Sequence, residues 1–160
     1  MKKTLLTALL GLTSLCAGAQ SSPHALGVHF GASTLDIEYQ YHFSQKNFLD
    51  VTAGIFDLDD GFVAQGIYNW NIKEWNWTPS FGVWKFWGGV GGGLGYYDHH
   101  NHNGMLLGPV GTIGFGFTLR DVPLTVGIDY RPWVAFVIGD DFDIVDKGFR
   151  NLGLTLTYRF

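Results

Sequence analysis

The final stretch of the chain, F-R-N-L-G-L-T-L-T-Y-R-F (149–160), is compatible with few folds. In an extended strand Leu152, Leu154, Leu156, Tyr158 and Phe160 fall on one face, and Asn151, Gly153, Thr155, Thr157 and Arg159 on the other. The alternation is unbroken. A two-faced strand must hide its apolar side, either in the core of a soluble protein or against lipid, in which case its polar side lines a lumen.

The N-terminal residues bear on which of these applies. Lys2 and Lys3 precede a short apolar run, residues 4–16, that ends in Ala17-Gly18-Ala19. This is the pattern of a secretory signal peptide with an A-x-A cleavage site, so residues 1–19 are expected to be removed and residues 20–160 to form one domain. The run is too short to span a bilayer as a helix. An alternative makes Cys16 a lipidation site, but Leu15 is bulky where that processing needs a small residue, and the A-x-A site fits better. Cleavage removes the sole cysteine, so disulfides cannot stabilise the mature domain. With a net charge of −4 and no basic patch, no nucleic-acid partner is expected. No later apolar run approaches the length of a membrane-spanning helix, so any membrane contact is made by strands.

Period-2 patterning predicts eight such strands. Residues 25–32 place Leu26, Val28 and Phe30 opposite Gly27, His29 and Gly31; residues 35–43 place Leu35, Ile37, Tyr39, Tyr41 and Phe43 opposite Asp36, Glu38, Gln40 and His42. The third strand alternates Leu49, Val51, Ala53 and Ile55 with Asp50, Thr52 and Gly54. The fourth, 62–71, is less regular because Val63 and Ile67 share a side with Gln65 and Asn69. A glycine-rich fifth strand (84–97), a sixth (106–119) with Ile113, Phe115 and Phe117 outward, a seventh (124–131) and the closing strand complete the set. Links at 44–47 and 120–123 are short. Residues 72–80, 98–104 and 135–148 are expected to be longer connections, the last two among the outer ones.

An even number of roughly ten-residue strands, with both termini at one end, is the pattern of an all-β, closed antiparallel up-and-down transmembrane β-barrel. The motifs G-V-H-F-G (27–31), I-E-Y-Q-Y (37–41), G-I-Y-N-W-N (66–71), the glycine run 88–95, D-V-P-L-T-V-G-I-D-Y-R-P-W (121–133) and L-G-L-T-L-T-Y-R-F resemble, in this order, the small eight-stranded outer-membrane β-barrel proteins of Gram-negative bacteria. They are most similar to the uncharacterised group common in Bacteroidetes. The resemblance implies a cell outer membrane location and a porin-like architecture. It also implies a closing strand read by the barrel assembly machinery, with Phe160 as its terminal aromatic, and it implies no settled activity.

The predicted lumen face carries Asp36, Glu38, His42, Asp50, Lys85, Asp129, Arg131 and Arg159. A barrel of eight strands is just wide enough to be filled by side chains, so these groups are read as one internal salt-bridge network rather than an ion path. Asp98, His99, His100 and His102 have the chemistry of a transition-metal site, with a solvated polar loop as the simpler reading. Asp57, Asp59 and Asp60, and Asp140, Asp141, Asp143 and Asp146, lack the spacing of a calcium loop. Ser33 has no histidine nearby in sequence, and the glycine run matches no nucleotide-binding pattern. Trp70, Trp75, Trp77, Trp84, Trp87 and Trp133, with Tyr68, Tyr96, Tyr97 and Tyr130, are expected to form interfacial girdles.

The sequence therefore predicts a monomeric integral outer-membrane protein in contact with outer-membrane lipid. Its expected role is structural or interactive, exerted through its outer loops, with no catalytic, cofactor or metal residues assigned. Two alternatives are a lipid-modifying outer-membrane enzyme and a soluble lipocalin-like carrier whose apolar face is turned inward.

Overall fold

The computed structural model describes residues 22–56, 61–99, 102–139 and 143–160. Its strands are β1 (His24–Gly31), β2 (Thr34–His42), β3 (Asn47–Phe56), β4 (Gly61–Trp75), β5 (Gly82–His99), β6 (His102–Leu119), β7 (Leu124–Tyr130), β8 (Ala135–Gly139), β9 (Asp143–Val145) and β10 (Leu152–Arg159). All pairings are antiparallel. The ring runs β5-β4-β3-β2-β1-β10-β7-β6 and is closed by β5 pairing with β6, so eight strands among the described residues make a complete barrel. First and last strands meet along Ala25↔Arg159 to Gly31↔Gly153. Both termini, and the links 43–46, 76–81 and 120–123, lie at one end.

β8 is an extension of the seventh strand. Its pairs with β6, Gly104↔Gly139 to Leu107↔Phe136, keep the register set by β7, Ile113↔Tyr130 to Thr118↔Thr125. Two prolines explain the break between them. Gly111 donates to the Pro132 carbonyl (2.9 Å) and Val134 to the Pro109 carbonyl (3.0 Å), but neither proline has an N–H for the return bond. Two successive hydrogen-bonded pairs on this seam are thus half made. β9 continues the eighth strand, with the 3-10 turn Asp146–Arg150 inserted before β10.

The alternation is oriented as the sequence predicts. Ile37 and Leu154 are 64% and 55% exposed on the outer wall, whereas Glu38 and Arg131 are 0% and 2% exposed inside. The inverted, lipocalin-like arrangement is not the one adopted. Two runs of touching rings make an aromatic belt near the terminal end, Tyr41–Phe43–Tyr68–Trp70 and a cluster of Trp75, Trp77, Trp84, Phe115 and Phe117, with stacked rings at 5.2 Å for both Trp75–Trp77 and Trp84–Phe115.

Several expectations need correction. The connections are shorter than predicted, because β4 bulges at Ile72 and residues 73–75 pair with β5, His99 pairs with His102, and residues 135–139 and 143–145 are strands. At 72–74 successive side chains are exposed, and at 135–138 both faces carry apolar residues, so period-2 patterning in the sequence ends before the strands do. The contrast of short inner and long outer links disappears; one end is distinguished instead by the long β5–β6 hairpin. Trp87 and Trp133 are not girdle residues. They share strand parity with the inward Lys85 and Arg131, and both are buried in the lumen. Trp87 lies over Gly114, Gly116 and Gly127, where side chains would meet its ring, so these glycines make the space that a large inward indole needs.

Filling that space should dislodge Trp87. Gly114→Val is expected to destabilise the barrel by about 1–3 kcal/mol through overpacking. It should also shift tryptophan emission to longer wavelength, measured by denaturant titration and fluorescence of the refolded protein.

Candidate functional site

Two fillings share the lumen. Phe56, Val63, Ile67, Leu106, Val110, Trp133, Ala135 and Val137 form an apolar cluster toward the end opposite the termini. Trp133 meets Phe56 edge-on at 5.8 Å and donates from Nε1 to the Gly108 carbonyl at 3.2 Å. The irregular phase of the fourth strand is thereby explained: Val63 and Ile67 turn inward with Gln65 and Asn69 because the lumen is apolar there.

The other filling is charged. Alternation on β2 directs both Asp36 and Glu38 inward, and β3 adds Asp50. β7 contributes Asp129, and Arg131 follows just beyond it. Arg131 Nη2 lies 2.8 Å from Asp129, 3.1 Å from Glu38 and 3.2 Å from Asp50. Its Nε also donates to Asp129 at 3.0 Å. His29 on β1 is held through Nδ1 to Asp36 (3.0 Å) and through Nε2 to Asp129 (2.9 Å). Thr155 on β10 donates to Glu38 at 2.8 Å, and Thr34 to Asp36 at 2.6 Å. The network joins β1, β2, β3, β7 and β10, so it straddles the seam where the chain's two ends meet. Every member is nearly or fully buried, and such charges are tolerated only when paired and hydrogen-bonded. Its chemistry is that of a staple: the Arg131 guanidinium faces Glu38, Asp50 and Asp129, and both ring nitrogens of His29 are engaged by Asp36 and Asp129.

The predicted single network is therefore two groups. Asp36, Glu38, Asp50, Asp129 and Arg131 come together, and His29, whose parity already marked it as inward, joins them. His42, Lys85 and Arg159 instead line the mouth at the terminal end, where Lys85 stands 3.8 Å from Glu74. That mouth holds a cavity of about 270 Å³, lined also by Gln45, Asn71 and Arg120. It narrows to a recess of about 40 Å³ against Phe48, Trp87 and Thr155. On the outer wall, an apolar groove of about 870 Å³ lies over the row Val51, Gly66, Gly92 and Pro109.

Ser33 is buried, and its hydroxyl donates to the Lys147 carbonyl at 2.6 Å. The two ring nitrogens of His29 are engaged by aspartates, so no serine–histidine–acid alignment forms among the described residues. Asp57, Asp59, Asp60, His100, Asp140 and Asp141 lie outside the described residues, as do the side chains of Asp98, His99, His102 and Asp143. Asp146 is exposed at the start of the 3-10 turn.

No family model matches the chain, and no curated protein does. Among solved structures it is similar to the N-terminal β-barrel domain of Pseudomonas aeruginosa OprF, with a TM-score of 0.52 and 12% identity. The match covers 88% of this chain and 100% of that domain. At this identity the likeness speaks for the barrel fold alone.

Loss of the central cation should be costly. Arg131→Met leaves Glu38, Asp50 and Asp129 without their guanidinium and is expected to destabilise the barrel by about 3–5 kcal/mol in equilibrium unfolding. Adding Glu38→Gln to that variant should recover part of the loss.

Proposed function

We propose that this chain is an integral outer-membrane protein of a Gram-negative cell, exported through a signal peptide removed after Ala19. In this reading it is a sealed structural barrel that interacts with its surroundings through the ends of its strands. The observation that carries the reading is the combination of an apolar outer wall with a charged lumen. The wall exposes Leu26, Phe30, Ile37, Val90, Leu94, Ile113, Ile128, Leu152 and Leu154 around the ring, while the lumen hides an ion-pair network centred on Arg131. In water such a wall would aggregate. In lipid it is the expected surface, and a closed ring leaves no backbone edge to satisfy. The aromatic belt near the termini supports placement of that end at a membrane–water interface. The side chains filling the lumen argue against a pore.

The barrel assembly machinery is the proposed partner of β10. Phe160 is held at the seam, its N–H donating to the His24 carbonyl at 3.0 Å and its ring stacking on His24 at 6.2 Å. An aromatic at the junction between the first and last strands is placed where an assembly factor would engage before the ring closes.

Refolding should require detergent or lipid, and vesicles containing the protein should hold a trapped dye. Leu154→Arg is expected to lower stability in vesicles by about 2–4 kcal/mol if this position lies near the bilayer midplane. Efficient folding of the wild type in plain buffer, or rapid dye release, would count against the proposal. In cells, deletion of Phe160 should reduce the amount of folded barrel recovered from outer membranes; an unchanged amount would remove the assembly role.

A further inference from the structure

We infer that the mouth at the terminal end of the barrel binds an oxyanion, a phosphate or carboxylate group presented from the aqueous side. The cavity of about 270 Å³ gathers Lys85 from β5, Arg159 from β10, Arg120 from the link after β6 and His42 from the end of β2. Among its lining residues Glu74 is the one carboxylate, and it is half exposed at 3.8 Å from Lys85. Among the described residues, neither Arg120 nor Arg159 has a carboxylate partner. Arg159 spends Nε on the Ser22 carbonyl at 2.7 Å, which fixes its side chain and leaves the two terminal nitrogens for a ligand. Asn71 and Thr118 add neutral polar groups to the lining.

Each feature favours an anion over other occupants. Parity turns Lys85 inward beside Trp87, leaving its side chain 23% exposed, and an ammonium so sheltered gains from a close negative group. Guanidinium groups offer paired donors that match the two oxygens of a carboxylate or phosphate. The cavity exceeds what a bare ion needs, so there is room for the group together with part of the molecule that bears it. Its floor is a recess of about 40 Å³ lined by Phe48, Trp87 and Thr155. Beyond that floor, Glu38, Asp36, Asp50 and Asp129 would repel an anion moving deeper. Cations at the entrance and carboxylates within create a stopping point rather than a path.

The test uses residues 20–160 refolded in zwitterionic micelles and followed by amide NMR, with inorganic phosphate or acetate replacing chloride at constant ionic strength. Saturable shifts confined to residues around Asn71, Lys85, Thr118, Arg120 and Arg159 are expected. The double variant Lys85→Met/Arg120→Gln should weaken binding by at least about tenfold, the loss expected for two charge-assisted contacts. Arg120→Gln alone lies in an exposed link and should give an intermediate loss, which keeps the test open should the double variant not fold. Shifts that do not saturate, that spread over the whole barrel, or that persist unchanged in the variants would overturn the site. The source of the anion is read in nanodiscs. The same amides shift in phosphatidylglycerol relative to phosphatidylcholine without added phosphate if a headgroup is bound, and only on adding phosphate if the ligand is free. Silence in both arms overturns the inference. The micelle arm needs only a folded barrel, so it can fail while the outer-membrane reading stands.

Discussion

Pairing of the first strand with the last, from Ala25↔Arg159 to Gly31↔Gly153, turns a sheet into a ring and removes the two edges at which backbone donors and acceptors would otherwise be unpaired. Once those edges are gone, side-chain parity alone decides what each surface is made of. The closing contact joins residues separated by most of the chain, so its entropy cost is large and local propensity cannot offset it. The charged network is placed where that cost falls. Asp129 links His29 to Arg131 across β10, and Thr155 reaches Glu38 on β2, so the groups nearest the seam bind strands on both sides of it.

The two fillings of the lumen act differently. Apolar packing around Trp133 and Phe56 is non-directional and tolerant of detail, while the Arg131 network demands one arrangement of five strands. An interior of Leu and Val alone would fill the ring but distinguish poorly between neighbouring registers. A buried guanidinium facing three carboxylates penalises any slip, because a shift by one residue turns the whole set toward the apolar exterior. Specifying the register is the role this physical account assigns to the network, and it also explains why charged groups persist deep in a closed barrel.

Much of this was legible in the sequence. The outer faces of β1, β2, β3, β7 and β10 follow from alternation, and the inward set Asp36, Glu38, Asp50, Asp129 and Arg131 follows with them. Trp87 and Trp133 were misread because residue type was weighed above parity: Lys85 and Arg131, two positions earlier on the same strands, already pointed inward. The apolar half of the lumen was visible only as the irregular phase of Val63, Gln65, Ile67 and Asn69, which a uniformly polar interior could not explain. Strand ends were lost for another reason. Ile72, Lys73 and Glu74 are exposed in succession, and residues 135–138 are apolar on both faces because Ala135 and Val137 pack into the lumen, so hydrogen bonding continues without a period-2 rhythm to report it. Division of the cationic groups between network and mouth depends on height along the barrel axis, which period-2 reading does not encode.

The half-made pairs at Pro109 and Pro132 give this cylinder a preferred line of fracture. Two return bonds are missing side by side, and the groove over Gly66, Gly92 and Pro109 thins the neighbouring wall, leaving little side-chain bulk to bridge the joint. Opening the joint there breaks fewer hydrogen bonds than opening an equal length of the unbroken β1–β10 ladder. The last hairpin can therefore detach from β6 while the charged seam beside it holds. The ring is thus unevenly joined, with its most sparsely bonded seam at the prolines and its side-chain cross-links on the other side of the last hairpin.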